Sequence, residues 1–191
     1  MTSTRWTAVR TRVVPAARRR LAAAGGRGPS ALNIPVPVAE DVALGGYITL
    51  MTPFAPRHKL DAQFMESLAR VVASCEPFDF VLGRVGRFPQ GVLYIAPDSP
   101  APFVELVEAL LREWPEYPPY GGAYDTVIPH LTVWFARLVP QLISGGDPEP
   151  PGLADELARA LPIHASATSV DLVVMEGPRR WSLKARLPLG G

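Results

Sequence analysis

The chain has 191 residues, 48% of them apolar and 19% charged, which is enough to bury a sizeable core and predicts one compact domain. The formal charge of +1 gives no overall electrostatic reason to expect a nucleic-acid or membrane partner. A single cysteine, Cys75, excludes an intramolecular disulfide, and three histidines argue against a multi-histidine metal centre, so no metal or cofactor is expected. No apolar run approaches the ~20 residues of a membrane span, and we expect a cytoplasmic protein.

Charge is distributed unevenly along the chain. Residues 1–30 contain seven arginines and no acidic residue, whereas the remainder has 12 basic and 18 acidic residues. We therefore predict a basic N-terminal extension over residues 1–30 and a folded domain over residues 31–191. Such an extension can contact phosphates, but it can equally be a solvated helix or a loose tail.

The order of the predicted elements favours an α+β fold. In the first half we expect a helix over residues 13–24, a proline-containing edge strand over 32–38, a strand over 47–51 and a helix over 62–74 capped by Asp61. The second half is predicted to contain a hairpin of strands 78–84 and 92–96, a helix over 102–114, a strand over 128–135, a helix over 153–160, and strands over 163–175 and 181–187. This mixed order suits helices packed on a largely antiparallel sheet. The common glycine-rich nucleotide loops and serine-hydrolase or zinc-protease motifs are absent from the sequence.

Two of the predicted strands have the same pattern. They are Tyr47-Ile48-Thr49-Leu50 and His130-Leu131-Thr132-Val133, which look like an internal pseudo-repeat. Because side chains alternate along a strand, His130, Thr132 and Trp134 are expected on one face, and Tyr47 and Thr49 likewise share a face.

The sequence that contains these strands resembles that of a known family, the two-histidine phosphoesterases of the 2′-5′ RNA ligase or cyclic phosphodiesterase branch. The runs FDFVLGRVGRFPQGVLYIAP, PEYPPYGGAYDTVIPHLTV and RWSLKARLPLG are laid out as in that family, and YITLMTPF stands where its first His-x-Thr motif lies. The resemblance covers roughly residues 31–190. It implies a bilobal fold in which two pseudo-twofold-related lobes of antiparallel sheet, with outer helices, enclose a central cleft where phosphodiesters are cleaved without a metal.

The resemblance also implies the candidate catalytic residues. His130 and Thr132 match the second motif and Thr49 matches the threonine of the first, whereas Tyr47 stands in place of the other histidine. Cleaving a cyclic phosphodiester needs one group that takes a proton and one that gives a proton, and imidazole does either near neutral pH. With Tyr47, a mechanism is expected in which His130 is the base, Tyr47 the acid, and the threonine hydroxyls bind phosphate oxygens.

Several aromatic residues are candidates for stacking on a base. We assign Trp134, Tyr94 and Tyr124 to substrate binding, and the expected partner is a small phosphorylated ligand, a nucleotide or an RNA end. Three functions remain open: a divergent phosphodiesterase acting on cyclic or 2′-linked nucleotides or RNA ends, a non-catalytic binder of a phosphorylated ligand, and a repurposed enzyme of small-molecule metabolism in which Tyr47 and His130 transfer protons.

Overall fold

In the part of the chain that the structure describes, eight strands form one antiparallel sheet. The structure, a computed structural model, describes residues 30–36, 46–124, 126–135, 149–177 and 180–191. In chain order the strands are β1 Ser30–Val36, β2 Gly46–Met51, β3 Phe78–Arg87, β4 Val92–Pro97, β5 Leu131–Phe135, β6 Ile163–Ala167, β7 Ser169–Gly177 and β8 Arg180–Pro188. Their order in the sheet is β6-β3-β4-β5-β2-β1-β7-β8, and each neighbouring pair is antiparallel. Two four-stranded halves therefore meet where β2 lies beside β5.

The sheet is strongly curved. Strands β6 and β7 are the first and seventh in the sheet order, yet only Thr168 separates them in the chain. In a flat sheet, strands spaced about 4.8 Å apart would put β6 and β7 about 29 Å from each other. The two steps from Ala167 to Ser169 span at most about 7 Å. The two ends of the sheet must therefore curl toward each other into a half-barrel.

One face of this sheet is covered by the three α-helices found among the described residues. They are α1 Ala62–Ala73, α2 Ala101–Glu113 and α3 Leu153–Ala160. Asp61 caps α1 as predicted, since its Oδ1 accepts a hydrogen bond from the Phe64 N–H at 2.9 Å. Buried helix residues such as Leu68, Phe103 and Leu157 form one core with apolar strand residues. The predicted α+β fold, with helices packed on an antiparallel sheet, is confirmed.

Two predicted strands differ from those observed. The predicted edge strand, β1, is an interior strand between β2 and β7. Its pairing with β7 extends only from Ser30 to Asn33, so Pro35, which has no N–H to donate, lies beyond the end of that ladder. The single strand predicted over 163–175 is divided at Thr168, because its two parts pair at opposite ends of the sheet.

Ser30, the last residue of the predicted basic extension, lies in strand β1. It is fully buried, and donates from both its backbone N–H and its hydroxyl to the carbonyl of Ala55, at 3.2 and 2.6 Å. The helix predicted over 13–24 and the rest of the basic extension lie outside the described residues. Within the described part of the chain, no helix is long and apolar enough to span a membrane.

Candidate active site

The pairing of β2 with β5 brings the four predicted catalytic residues together. Ile48 lies opposite Leu131, and both side chains are buried in the core. Continuing this antiparallel register by one residue in each direction puts Thr49 opposite His130 and Tyr47 opposite Thr132. Because side chains alternate along strands, these four project away from the core, onto a surface that we call the site face.

His130 is held in one tautomer by the backbone. Its Nδ1 lies 2.7 Å from the carbonyl oxygen of Ile128, which can only accept, so Nδ1 carries the hydrogen and donates it. In the neutral ring Nε2 then has a free lone pair. Burial lowers the pKa of His130 below its ordinary value, although the bond to Ile128 opposes this shift. Its position and tautomer thus suit His130 to accept a proton through Nε2.

Two aromatic rings support the imidazole. The Phe88 ring meets it edge to face, with centroids 4.9 Å apart, and the Tyr94 ring lies at 5.4 Å. Phe88 and Tyr94 also contact each other at 4.3 Å. Tyr94, predicted to bind substrate, lies opposite Thr132 in the β4–β5 ladder and is therefore on the site face.

Phe88 was missed by the sequence analysis. Its signal was its place in the predicted hairpin, two residues after Gly86, which pairs with Tyr94. A β-carbon on Gly86 would lie 2.6 Å from Cε2 of Tyr94, so the missing side chain allows the tyrosine ring to lie against β3. Gly86 therefore fixes where the Tyr94 ring meets His130.

Trp134 does not share the face of His130, contrary to the prediction. The β4–β5 ladder pairs Tyr94 with Thr132 but Leu93 with Trp134, so Val133 is an extra residue at a β-bulge. A bulge reverses the alternation of side chains that follow it. Trp134 is consequently turned toward the core, where it is 7% exposed beside the buried Leu93.

Tyr124 is not brought to the ring cluster around His130. It is 56% exposed, and its ring contacts Tyr120 with centroids 5.6 Å apart. It follows the 3₁₀ turn Pro119–Gly122, which is attached to the end of β2 by a 2.6 Å hydrogen bond from the Tyr120 N–H to the Thr52 carbonyl.

Tyr47 is a half-buried phenol on β2. Burial raises its pKa to about 12, so it keeps its proton at neutral pH. The hydroxyls of Thr49 and Thr132 are half-buried on the same face. The arrangement therefore offers one proton acceptor, one phenolic donor and two hydroxyl donors.

A polar row continues from Thr49 across the second half of the sheet. Asn33 pairs with Thr49 on one side and with Asp171 on the other, and Asp171 pairs with Arg186. Both oxygens of Asp171 accept hydrogen bonds from Arg186, at 2.7 and 2.8 Å. Asn33 is only 4% exposed, and its Oδ1 has no hydrogen-bond partner within the described ranges. Sequence analysis did not single out this buried amide.

A cavity of about 400 Å³ adjoins the ring cluster. Tyr94 belongs to both, and Ile128 and Pro129 in its wall directly precede His130. Val104 and Ile128, which line this cavity, are 39% and 43% exposed. The remaining lining residues are Arg84, Val85, Gly86, Ala96, Pro97, Pro100, Thr126 and Val127. A mostly apolar cavity of this kind suits a flat organic group.

The described residues contain no group of three or more histidine, cysteine, aspartate or glutamate side chains arranged to hold a metal ion. The candidate catalytic side chains on the site face are one imidazole, the Tyr47 phenol and two threonine hydroxyls.

Comparison with known proteins identifies the family. A family model described as the 2′-5′ RNA ligase superfamily matches residues 41–179. The protein TT0787 of Thermus thermophilus is similar in structure with a TM-score of 0.50 and 20% identity, covering 76% of this chain and 79% of that one. The apo form of E. coli LigT gives a TM-score of 0.51 and 14% identity, with 86% and 99% covered.

At these identities the two structures bear on the fold alone. No curated protein sequence is significantly similar to the chain. The family model, however, spans well over half of the sequence and includes both strands of the site. The chain therefore belongs to the 2′-5′ RNA ligase superfamily, and its resemblance to the two-histidine phosphoesterases is confirmed.

Proposed function

We propose that this chain is a metal-independent phosphodiesterase that acts on cyclic or 2′-linked nucleotides or on RNA ends. The observation that carries the proposal is the β2–β5 register, which supports a site with two threonine hydroxyls and one imidazole on a single face. Membership of the 2′-5′ RNA ligase superfamily supports phosphoesterase chemistry for such a site.

His130 is the general base of the proposed reaction. The carbonyl of Ile128 occupies Nδ1, so Nε2 takes the proton of the attacking water. Packing against Phe88 and Tyr94 keeps the ring in place and partly desolvated, which favours its neutral, proton-accepting form.

The two threonines bind the phosphate. Thr49 lies across from the base, and Thr132 lies across from Tyr47, so each hydroxyl stands about one strand spacing, or about 5 Å, from a proton-transferring group. Hydroxyl groups that donate hydrogen bonds to the nonbridging phosphate oxygens stabilise the negative charge that these oxygens carry in the transition state. Tyr47, protonated at neutral pH, donates to the departing oxygen.

The cavity beside Tyr94 supports a ligand with a flat group next to its phosphate. Tyr94 pairs with Thr132, so the cavity begins about one strand spacing from the proposed phosphate position. A ribose bridges such a gap and carries a base into the apolar space formed with Ile128 and Val104. Trp134, buried in the core, and the exposed Tyr124 are not assigned to this contact.

Hydrolysis of 2′,3′-cyclic nucleotides and 2′-5′-linked dinucleotides tests the proposal. His130→Ala should abolish turnover, and Thr49→Val or Thr132→Val should lower kcat/KM by about 10²-fold, as expected for loss of an oriented donor to a developing charge. His58→Ala removes an imidazole from an exposed turn and serves as the matched control.

Binding without turnover would replace this function with a different one. If wild type binds 2′,3′-cyclic AMP but never hydrolyses it, and if binding is lost in Thr49→Val and Thr132→Val, the protein is a binder of phosphorylated ligands. If wild type neither binds nor hydrolyses these compounds, the proposed function is wrong.

A further inference from the structure

We propose that the site selects activated phosphodiesters, in which ring strain or a weakly basic departing oxygen makes bond cleavage easy, over unstrained alkyl diesters. This inference rests on the proposed phosphodiesterase function and specifies its substrate class. Among phosphodiesters, strained 2′,3′-cyclic phosphates and aryl diesters are expected to be good substrates. The 2′-5′ linkages between nucleosides, which are unstrained alkyl diesters, are expected to be poor ones.

The first observation is that the site face has a single imidazole. All three histidines of the chain are described, and the other two lie on elements apart from the β2–β5 junction. His58 is in the exposed 3₁₀ turn Arg57–Lys59, and His164 is exposed on the outermost strand β6. The one imidazole near the proposed phosphate is His130, and its free nitrogen serves as the base.

The second observation is that the other proton-bearing groups near the site are either paired or directed away from β2. Asp171, two strands from Thr49, has both oxygens bound to Arg186. The hydroxyl of Tyr94 lies against Gly86 on β3, on the side away from β2. Among the described residues this leaves Tyr47, across from Thr132, to supply a proton to the departing oxygen.

A buried phenol is a weak acid for this step. With a pKa of about 12, Tyr47 transfers its proton only when the departing oxygen has become strongly basic, which happens late in bond cleavage. An imidazolium, with an ordinary pKa near 6.5, would protonate that oxygen much earlier. With Tyr47 as the proton donor, the activation barrier for cleavage of the phosphodiester must therefore depend strongly on the basicity of the departing oxygen.

The reaction balances without a further reactant. A water oxygen forms a bond to phosphorus while the bond from phosphorus to the departing oxygen breaks, and His130 Nε2 takes the proton released by the water. With an aryl ester, the departing oxygen leaves as a phenolate and needs no proton from the enzyme. With an alkyl ester, it must take the Tyr47 proton, which is later replaced from His130 through solvent.

The p-nitrophenyl and methyl esters of thymidine 5′-phosphate test the inference on the full chain at about pH 6.5, near the ordinary imidazole pKa. The two esters differ only in the departing group. Wild type should turn over the p-nitrophenyl ester readily and the methyl ester hardly at all. Tyr47→His should raise kcat/KM for the methyl ester and narrow the aryl-to-methyl ratio by about 10²-fold, the lower end of the usual contribution of general acid catalysis.

Leu183→His is the matched control, because it adds a histidine at an exposed position on β8, three strands from β2. It should leave the aryl-to-methyl ratio as in wild type.

The inference is overturned if Tyr47→His leaves the aryl-to-methyl ratio unchanged, or if wild type cleaves both esters with similar kcat/KM. In those cases the proposed phosphodiesterase function still stands. Failure of wild type to cleave the p-nitrophenyl ester overturns the inference, and failure to bind or hydrolyse 2′,3′-cyclic AMP and 2′-5′-linked dinucleotides as well overturns the proposed function too. Circular dichroism of each variant identifies loss of folding, and Tyr47→Gln then provides a second variant, which should widen the ratio.

Discussion

The ring of Tyr94 lies against the backbone of Gly86, with its Cε2 2.6 Å from where a β-carbon of residue 86 would be. The same ring contacts His130, with centroids 5.4 Å apart. Because residue 86 has no side chain, the Tyr94 ring can occupy the position in which it contacts the proposed base, His130.

Replacing Gly86 with alanine should therefore affect both stability and activity. The added methyl group must displace the Tyr94 ring, at a cost of about 1–3 kcal/mol in the free energy of unfolding. Urea titration and cyclic-nucleotide hydrolysis measure the two effects. Gly152→Ala is the control, since φ there is +75° and no atom lies within 4 Å of the new carbon. It should cost about 1 kcal/mol through backbone strain and leave kcat unchanged. Equal activity in both variants would contradict a role for the Gly86–Tyr94 contact.

The lowered pKa of His130 predicts how activity depends on pH. The neutral base persists below the ordinary imidazole value of 6.5, so the acidic limb of the kcat/KM profile should have its midpoint below 6.5. The profile of the free enzyme measures this midpoint directly. A midpoint at or above 6.5 would show that burial does not control the His130 pKa.

The same shift predicts how stability depends on pH. The unfolded chain binds a proton at residue 130 with the ordinary pKa and the folded chain with a lower one, so the unfolded state holds more protons between the two values. The free energy of unfolding should consequently rise with pH through this window and level off above about 6.5. Urea titrations from about pH 5 to pH 8 should show that His130→Gln loses part of this dependence. His58→Gln, at an exposed site, should retain it.

The buried amide of Asn33 predicts a gain in stability on its removal. Leucine has the branched shape of asparagine without its polar atoms, and Asn33→Leu should raise the free energy of unfolding by about 1 kcal/mol, because a buried acceptor without a partner is removed. Ser30→Ala, on the same strand, removes a hydroxyl that donates a 2.6 Å hydrogen bond to the carbonyl oxygen of Ala55. This substitution should lower the free energy of unfolding by about 1 kcal/mol. Urea titration measures both. Destabilisation by both substitutions would show that the Asn33 amide has a partner.

Truncation tests whether the basic extension is separate from the domain. Deleting residues 1–29 keeps Ser30 and all of β1, so the free energy of unfolding should stay the same, and only salt-sensitive binding to RNA should weaken. Deleting residues 1–33 removes the four residues of β1 that pair with β7 and should strongly destabilise the protein. If the shorter deletion also prevents folding, the extension is part of the domain.

Simple periodicities predicted much of this fold from the sequence. Alternation along residues 47–50 and 130–132 placed Tyr47 with Thr49 and His130 with Thr132, and the helical spacing after Asp61 predicted α1 nearly to the residue. That the two strands lie at one site was predicted by the family resemblance and not by periodicity. The alternation and the helical spacing depend on neighbouring residues alone, which is why one sequence is sufficient to reveal them.

The features that sequence analysis missed depend on pairing between distant strands. The bulge at Val133 is defined by its register against β4, and without it Trp134 would share the face of His130. The division at Thr168 follows from pairing at opposite ends of the sheet. The burial of Asn33 between Thr49 on β2 and Asp171 on β7 likewise depends on strand pairing that the sequence alone does not reveal.

The position of β1 has a consequence for how the protein folds. Strand β1 lies between β2, which follows it closely in the chain, and β7, whose paired residues are about 140 positions later. Contacts of such long sequence separation form slowly, because the loop-closure entropy must be lost before they contribute. The half of the sheet that carries Tyr47 and Thr49 is therefore completed only after residues 171–174 have been synthesised. On the ribosome, the nascent chain is expected to remain without a complete site face until nearly all of strands β1 to β7 has been synthesised.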